Sequence, residues 1–495
     1  MSPGRRIRPI EPKLRLSFLS PDDIERIHNA ALLVMEEVGV RFPSHKALDI
    51  LEGAGARVDR EKMIARLPGD LVMNAIKKAP SVYTLAARNP DDDLLLDGKH
   101  CYLSTDGCGV ETYDLYTGEK RTSTKKDVHD SAKLADALDS IAFVWGPMVS
   151  AQDVPAETRA LHELEACFVG TSKHVQPETI ISEEIARYCV EMAAILVGGK
   201  DNLKKRPIFS VMQCATDPLG HDGGSLEASL VAAEYGIPTG FMPMPMSCAT
   251  APATLAGNLV VTTIDSLSAL VLIEIAHPGA PVFFAAAPTA IDLRTGGYTG
   301  GGPEDFLLGG AFNQICDFYG IPLSMGAMAT GAKVPDWQAG VDNSFSTVAP
   351  VLTCTDMLTG AGMLNGSKIL SFQQMVMDCE IYEIARMFAQ GIEVNDETLA
   401  VDVIKKVGVG GNYLAEKHTR RHLKDLWRPT VYDRTPYNVW EANGKKGAFE
   451  TATEIARRLL ETHETIPIPD DQRKEMAEVI KKAQMELAKG GVKHV

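Results

Sequence analysis

The stretch SLEASLVAAEYGIPTGFMPM, residues 225–244, passes from a segment that can hold a helix directly into a short apolar run. The glycine and proline of Gly236-Ile-Pro238 end the helix and start the run that begins at Thr239. The same Gly-Ile-Pro step recurs at 320–322, immediately before Leu323. A helix that turns at once into a short apolar strand is typical of chains that build a parallel sheet.

About eight such strand-then-helix units follow one another over roughly 300 residues. The predicted strands are Tyr102–Thr105, Ile141–Trp145, His174–Gln176, Ile208–Gln213, Thr239–Met244, Val282–Ala286, Leu323–Ala327 and Val351–Leu358. Eight units favour a closed (β/α)₈ barrel. An open doubly wound sheet is the alternative, but no Gly-x-Gly-x-x-Gly follows any of the strands.

The pattern divides the chain into three parts. Residues 1–95 are predicted to form a helical and β extension, residues 96–395 the barrel, and residues 396–495 a helical cap. The basic, proline-rich lead-in Met1–Lys13 has no apolar core of a signal peptide, and we expect it to be disordered.

Composition narrows the class of protein. The net charge is -15, from 65 acidic against 50 basic residues, which argues against a nucleic-acid partner and modestly favours a cationic substrate. The sequence contains no stretch of about 18 uninterrupted apolar residues, so no membrane span is predicted. The nine cysteines form no framework and are interpreted as reduced thiols, so we expect a cytoplasmic protein.

Candidate site residues follow from barrel geometry, because working side chains lie at the carboxyl ends of the strands. Trp145 ends the second predicted strand and is one of only four tryptophans. Aromatic faces bind quaternary ammonium, since such a cation cannot donate a hydrogen bond. A packed core aromatic is the alternative for each member of the predicted cage, which consists of Trp145, Tyr102, Phe209, Tyr298 and Phe372.

Other chemistry is not indicated by the strand ends. No lysine is placed for a Schiff base, and no two-histidine metal constellation is evident. Cys214 with His221, and Cys354 with Asp356, match no zinc spacing, so no bound metal is predicted. The run Phe241-Met-Pro-Met-Pro-Met246 is interpreted as core packing, with a soft surface for a bulky flat ligand as the alternative. No catalytic residue is identified.

Several motifs resemble the trimethylamine methyltransferase superfamily. They are Tyr113-Asp-Leu-Tyr-Thr-Gly-Glu-Lys-Arg121, Ala332-Lys-Val-Pro-Asp-Trp-Gln-Ala-Gly340, Gly411-Asn-Tyr-Leu, and Trp440-Glu-Ala ahead of Gly444. The second is similar to the family signature Ser-Lys-x-Pro-Asp-x-Gln-Ala-Gly and departs from it at Ala332. The resemblance covers nearly the whole chain, from about residue 20.

The resemblance implies a (β/α)₈ barrel that moves a methyl group from an amine to the cobalt(I) of a corrinoid carried by a separate protein. The founding branch uses pyrrolysine, whereas this sequence contains only the twenty standard residues. A quaternary amine needs no pyrrolysine adduct, so glycine betaine is the expected substrate. Its carboxylate needs a cationic or amide partner. The candidates are His221, Arg294, Lys333, His418 and Arg421, with ordinary surface pairing as the alternative.

Rival interpretations remain open at this point. Proline betaine, carnitine, γ-butyrobetaine and choline are other quaternary substrates, and a tertiary amine is a further option. A barrel that binds a quaternary amine without turnover is the alternative from another class. The apolar segment Leu255–Ile275 suggests a homo-oligomer, since an apolar outer helix is often buried against a second subunit.

Overall fold

The computed structural model describes residues 7–107, 109–298 and 300–490. Eight parallel strands form one sheet in the order β3-β2-β1-β8-β7-β6-β5-β4. They are β1 Tyr102–Thr105, β2 Ile141–Gly146, β3 His174–Pro177, β4 Val211–Cys214, β5 Thr239–Met242, β6 Val282–Ala286, β7 Leu323–Gly326 and β8 Met357–Ala361. The last gap, between β3 and β4, is spanned by a bridge that joins Val175 and Phe209. The predicted (β/α)₈ barrel is confirmed.

A helix follows each strand and packs outside the barrel. The helices are α1 Lys125–Ala137, α2 Arg159–Gly170, α3 Glu183–Val197, α4 Gly223–Glu234, α5 Leu255–Ala276, α6 Pro303–Tyr319, α7 Trp337–Thr353 and α8 Phe372–Ala389. The strand predicted at 351–358 was placed too early, because α7 runs to Thr353 and ends at Cys354 in the left-handed conformation, with φ 64°. The apolar residues before Cys354 belong to the helix.

Large side chains fill the barrel interior, so the barrel is a packed core with its opening at the carboxyl end. Tyr102, Phe143, Met212, Phe283 and Met357 belong to one buried cluster. Gly240 on β5 is required beside them, since a Cβ there would lie 2.2 Å from the Phe283 ring. The short hairpin Tyr83–Leu85 and Leu94–Leu96 packs against the same cluster and closes the amino end of the barrel.

The N-terminal extension covers α5. Helix Pro21–Glu37, whose first turn is closed by a capping box of Ser20 and Asp23, packs along α5 together with helix Gly69–Ile76. The remaining elements of the extension are the helix His45–Gly53 and the strands Val40–Arg41, Arg57–Asp59 and Ile64–Arg66. Among the described helices, α5 alone is long and apolar enough to cross a membrane, and 78% of that window is buried inside the fold.

The lead-in was expected to be disordered, and for its described residues this is wrong. Ile7 and Ile10 are buried. The Ile10 N–H donates to the Cys101 carbonyl at 3.0 Å, and the Cys101 N–H donates back at 2.8 Å. The apolar residues between the basic ones therefore pack beside the start of β1. Residues 1–6 lie outside the described part of the chain.

The C-terminal extension consists of two different parts. Helices Ala448–Thr462 and Asp470–Gly490 pack against the outer barrel helices. Before them, residues 391–447 form a segment that we call the C-terminal arm, in which Val431 is the one buried residue. The arm contains the short helices Asp396–Leu399, Val401–Val407, Lys417–His422 and Tyr437–Ala442. The three-part division at residues 95 and 395 stays a prediction.

Candidate active site at the barrel mouth

Two small sheets surround the carboxyl end of the barrel. The loops after β1 and β8 form one of them, with strands Lys120–Thr122, Glu111–Tyr113, Ile369–Leu370 and Met363–Leu364. The loops after β5 and β6 form the other, with strands Met246–Ser247, Thr289–Asp292 and Gly297–Tyr298. Together they frame the mouth at which the strand-end side chains converge.

Asp106 is a buried carboxylate that directly follows β1. Its Oδ2 accepts a hydrogen bond from the Ser367 hydroxyl, and its Oδ1 accepts one from the Gly107 N–H at 2.8 Å. Burial raises the pKa of Asp106 to about 6, even though both hydrogen bonds favour the charged form. The mouth therefore contains an acid that changes charge just below neutral pH.

Trp145 lies next to this acid. A Cβ on Gly107 would be 3.0 Å from Trp145 Nε1 and 2.7 Å from Glu178 Oε1, so both side chains crowd around the glycine. Trp145 and Glu178 are themselves buried. Gly107 is needed here because a side chain would occupy the space between the indole and the carboxylate. An aromatic ring beside acids suits a cation.

Two buried polar atoms at inward-facing positions near the mouth have no hydrogen-bond partner among the described residues: Trp145 Nε1 and Gln176 Oε1. Gln176 is the register partner of Trp145 on β3, and its amide N–H donates to Ser210 Oγ at 3.0 Å. Buried polar groups are normally satisfied, so an unsatisfied set in a barrel mouth indicates a ligand or water position.

Tyr298 closes another side of the mouth. A Cβ on Gly366 would lie 2.8 Å from its ring, and Ser367, which binds Asp106, is the next residue. Although the residue is 38% exposed, desolvation of the Tyr298 hydroxyl and the negative charges of Asp305 and Asp106 raise the pKa of this hydroxyl. Tyr298 therefore stays a neutral phenol, and the turn at 366–367 links it to the acid on β1.

The glycine-rich loop Gly300–Gly302 packs against the loop after β7. The Gly331 N–H donates to the Gly300 carbonyl at 3.0 Å, and a Cβ on Gly301 would lie 2.6 Å from Asp342 Cγ. Glycine is therefore needed in this loop, because a side chain would collide with the neighbouring residues. Lys333 lies in the same region, where its Nζ donates to the Gly331 carbonyl at 2.5 Å.

Asp378 was missed by the sequence analysis. It is fully buried on α8 and accepts hydrogen bonds from the Gly362 N–H at 2.9 Å, Asn343 Nδ2 at 2.8 Å and Gln374 Nε2 at 2.7 Å. Burial raises its pKa to about 7, although these donors lower it. The sequence gives no sign of this role, because an aspartate in the middle of a helix is usually exposed. Its approach to the strand end depends on how α8 packs against the closed barrel.

Two members of the predicted cage, Trp145 and Tyr298, lie near Asp106: Trp145 beside Gly107, and Tyr298 beside the turn at 366–367. Phe372 starts α8 and is buried in the shell between barrel and helices. Tyr102 lies at the amino end of β1, stacks on His100 and donates to the Leu95 carbonyl at 3.2 Å. Phe209 precedes β4 and contacts Phe168 edge to face, with 6.4 Å between ring centroids. The structure thus places Tyr102 and Phe209 away from the mouth.

Four of the five predicted carboxylate partners are neutral, paired with a carboxylate or remote from the mouth, and Lys333 alone remains a cation beside it. His221 is buried between Phe42 and Phe241, and burial lowers its pKa to about 3, so it is neutral. Arg294 is 88% exposed and pairs with Asp292. His418 and Arg421 lie in the C-terminal arm, where both contact Glu397. Lys333 is held by a carbonyl, as described above.

Two aspartates share a proton behind the loop after β4. The Asp217 and Asp265 carboxyls contact each other, and burial together with this contact raises the pKa of Asp265 well above its usual value. Asp217 Oδ2 also accepts from the Met244 N–H at 2.8 Å, so the pair anchors the Met-Pro segment after β5.

Replacing Asp265 by Asn is expected to stabilise the protein at neutral pH. Asp265 keeps its proton in the folded state and loses it on unfolding, so wild-type stability falls as pH rises from about 4 toward the raised pKa. Asn supplies an N–H donor in place of the carboxylic O–H, without this dependence on pH. Each unit of raised pKa corresponds to about 1.4 kcal/mol. Thermal unfolding from pH 4 to pH 7 should show the variant gaining on wild type with pH, and a constant difference would contradict the shared proton.

The chain is similar over nearly its whole length to one known protein family. The profile of the trimethylamine methyltransferase (MTTB) family matches residues 5–488. A trimethylamine methyltransferase MttB of Desulfitobacterium hafniense is 35% identical over 458 residues, which cover 92% of this chain and 91% of that protein. A glycine betaine methyltransferase of the same species is 31% identical over 435 residues, covering 86% of this chain and 88% of its own.

Fold and site together define a (β/α)₈ barrel with an aromatic and acidic mouth. The crystal structure of the Methanosarcina barkeri monomethylamine methyltransferase MtmB has the same fold, with a TM-score of 0.53 at 14% identity, covering 96% of this chain and 89% of that one. The chain belongs to the trimethylamine methyltransferase family.

Proposed function

We propose that this protein transfers a methyl group from a quaternary amine to a corrinoid carried by a separate protein. The observation that carries the proposal is the mouth itself, where the Trp145 indole lies beside the carboxylates of Asp106 and Glu178. Aromatic faces and carboxylates are the groups that hold an ammonium without hydrogen-bond donors. The relatives named for trimethylamine and glycine betaine support an amine substrate.

The described residues at the mouth also suit a flat, largely apolar corrin. Met244, Tyr298 and Val334, in the loops after β5, β6 and β7, are 36%, 38% and 47% exposed. The Met-Pro run is thus mixed, with Met242 packed inside the barrel and Met244 at the rim. The corrinoid, when bound, supplies an electron-rich cobalt that accepts the methyl group.

The protein's own residues have positioning tasks. Trp145 and the neighbouring acids hold the ammonium, and Tyr298 with the glycine-rich loop limits how the substrate can lie, so that one methyl points out of the barrel. The carbon–nitrogen bond breaks with its electron pair left on nitrogen, and the product leaves as a neutral amine. No proton moves in this step, which is why the site needs no general base.

Glycine betaine is the first substrate to test, and a quaternary amine without a carboxylate, such as choline, is the second candidate. The second is favoured by the acids of the mouth, Asp106, Asp305 and Asp378, and by the pairing of Arg294 with Asp292. A betaine carboxylate would need N–H donors such as the Trp145 indole or a cation such as Lys333.

The experiment mixes purified protein with reduced corrinoid carrier protein and one amine at a time: glycine betaine, choline, carnitine, proline betaine, γ-butyrobetaine or trimethylamine. Corrinoid absorbance and the mass of the demethylated amine are both recorded. Turnover of one quaternary amine supports the proposal. Turnover of trimethylamine alone would replace it with a tertiary-amine enzyme. Calorimetric binding without turnover would identify a non-catalytic amine-binding barrel.

We also propose that the chain works as a homo-oligomer in the cytoplasm. The sequence-based reason, helix α5, is superseded, because α5 is covered by the chain's own N-terminal helices. Support comes instead from the C-terminal arm, in which Ile392 and Leu414 are 92% and 87% exposed. The arm has ten basic and eight acidic residues in a chain with 50 and 65, so a second copy offers a complementary acidic surface. The eight described cysteines are all free, which suits a reducing compartment.

Light scattering should report an assembly larger than the 53.5 kDa chain. The assembly should weaken at high salt if the charge of the arm contributes to it. A monomer at micromolar concentration in low salt would contradict the proposal.

A further inference from the structure

The C-terminal arm brings together three side chains of metal-binding type. Glu397 lies on the helix Asp396–Leu399, while His418 and His422 lie one turn apart on the helix Lys417–His422. One ligand atom from each of the three lies within 4.8 Å of the others. The two imidazole centroids are 4.4 Å apart. Two histidines at positions i and i+4 with a carboxylate from another segment form a zinc-binding combination.

The hydrogen bonds of the cluster leave suitable atoms available. His422 Nδ1 faces Asp425 Oδ2 at 2.6 Å, which orients its ring and turns Nε2 toward Glu397. A carboxylate behind a ligand histidine is the usual outer partner at zinc sites. His418 Nε2 contacts the Glu397 carbonyl at 3.2 Å, and its Nδ1 makes no hydrogen bond within the described chain. Glu397 uses Oε1 for its contacts with Arg421 and His422, and its Oε2 has no such partner there.

The local fold offers a reason for a metal at this position. Segments of fewer than about 70–80 residues rarely bury enough apolar surface to be stable without a disulfide, a metal or a partner. The arm buries only Val431, and none of its residues is a cysteine. Polar contacts around Glu397 are what join its first helix to its third. A metal ion would make the same connection with stronger bonds.

We propose that Glu397, His418 and His422 bind one Zn²⁺ ion that links the helices of the C-terminal arm. The coordinating atoms would be Glu397 Oε2, one nitrogen of His418 and Nε2 of His422, with water as the fourth ligand. Ligand atoms of a tetrahedral site lie about 3.3 Å apart at bond lengths of about 2.0–2.1 Å, so rotation of side chains on an exposed surface is sufficient to close the site. This site departs from the sequence-based expectation that no metal is bound, and it is independent of the proposed methyl transfer.

Arg421 makes the proposal sharply testable, because its guanidinium competes with a metal for the Glu397 carboxylate. Arg421→Gln should therefore tighten Zn²⁺ binding, whereas a purely ionic cluster would simply lose a contact. His422→Ala and His418→Ala should each weaken binding at least tenfold. Asp425→Asn, which acts only through the His422 ring, should weaken it by about tenfold.

The test uses untagged full-length protein stripped of metal with a chelator. Zn²⁺ is titrated in competition with a chromophoric chelator, and limited proteolysis of the arm is followed with and without Zn²⁺. His129→Ala is the matched control, since His129 is a partly exposed histidine that pairs with Asp130 elsewhere. One Zn²⁺ per chain, slower cleavage within 391–447 and loss of both effects in the His418 and His422 variants are expected. Absence of micromolar binding, or equal binding by wild type and the two variants, would overturn the proposal.

Discussion

Trp145→Met is expected to reduce the affinity for a quaternary amine about 30-fold, while Trp145→Phe should lose only a fewfold. A desolvated cation on an indole face is worth about 2 kcal/mol, which corresponds to that ratio. Met fills part of the space with apolar bulk but has no aromatic face, whereas Phe keeps a smaller one. Trp145 is buried in the interior cluster, so replacement by Ala would leave a cavity and obscure the comparison.

Calorimetric binding and kcat/KM for methyl transfer measure the effect, with thermal unfolding to verify that both variants fold. A neutral analogue with carbon in place of the quaternary nitrogen provides the control for shape, and it should bind the Met and Phe variants alike. Trp427→Phe, in the C-terminal arm, should leave binding unchanged. An equal loss for the charged and the neutral ligand would show that Trp145 acts by packing and not as part of a cation cage.

Asp106→Asn is expected to lower amine affinity about tenfold at pH 8 and to reduce its pH dependence to the part that comes from Asp305 and Asp378, whose pKa values burial raises to about 6 and about 7. Burial raises the pKa of Asp106 to about 6, so the wild-type carboxyl is neutral at pH 5 and negative at pH 8. Affinity for a cation should therefore rise as pH increases through about 6. Asn has the same shape and still accepts the Gly107 N–H, which separates charge from structure.

Ser367→Ala provides the matched control for this prediction. The Ser367 hydroxyl stabilises the ionised form of Asp106, and its removal should raise the pKa further. The inflection in amine binding should then move to higher pH while the affinity at high pH is kept. A wild-type profile that is flat between pH 5 and 8, or an Asp106→Asn variant that binds the amine as tightly as wild type at pH 8, would remove Asp106 from the cation site.

Some site residues are recognisable from a local feature of the sequence, whereas the role of others depends on a distant partner. Trp145 was identifiable because a strand end is a local feature, and a tryptophan is conspicuous there. Asp106 was visible as a strand-end residue, but its role depends on Ser367, which lies 261 positions away in the chain. Tyr102 and Phe209 are aromatic like Trp145, but they stand at the amino ends of their predicted strands, a position that the carboxyl-end rule already disfavours.

The cationic candidates illustrate the same limit. His221 was predicted from its residue type and position to bind a carboxylate. In the fold it is buried between Phe42 and Phe241, and burial lowers its pKa to about 3. His418 and Arg421 lie close together in sequence and belong to one cluster, but that cluster is in the C-terminal arm and not at the mouth. Charge and residue type can be read locally, whereas burial and the choice of partner depend on how distant segments pack.

By itself the sequence determined the barrel, the family and the acidic character of the chain. These follow from the short-range alternation of strand and helix, from motifs and from counting, and none of them depends on knowing which residues are in contact. Only the tertiary structure decided which strand ends meet, that acids and aromatic side chains lie together at the mouth, and that three side chains of metal-binding type meet in the arm. Those features arise when barrel closure and loop packing bring residues that are far apart in the sequence within hydrogen-bond distance. A local sequence pattern does not contain this information.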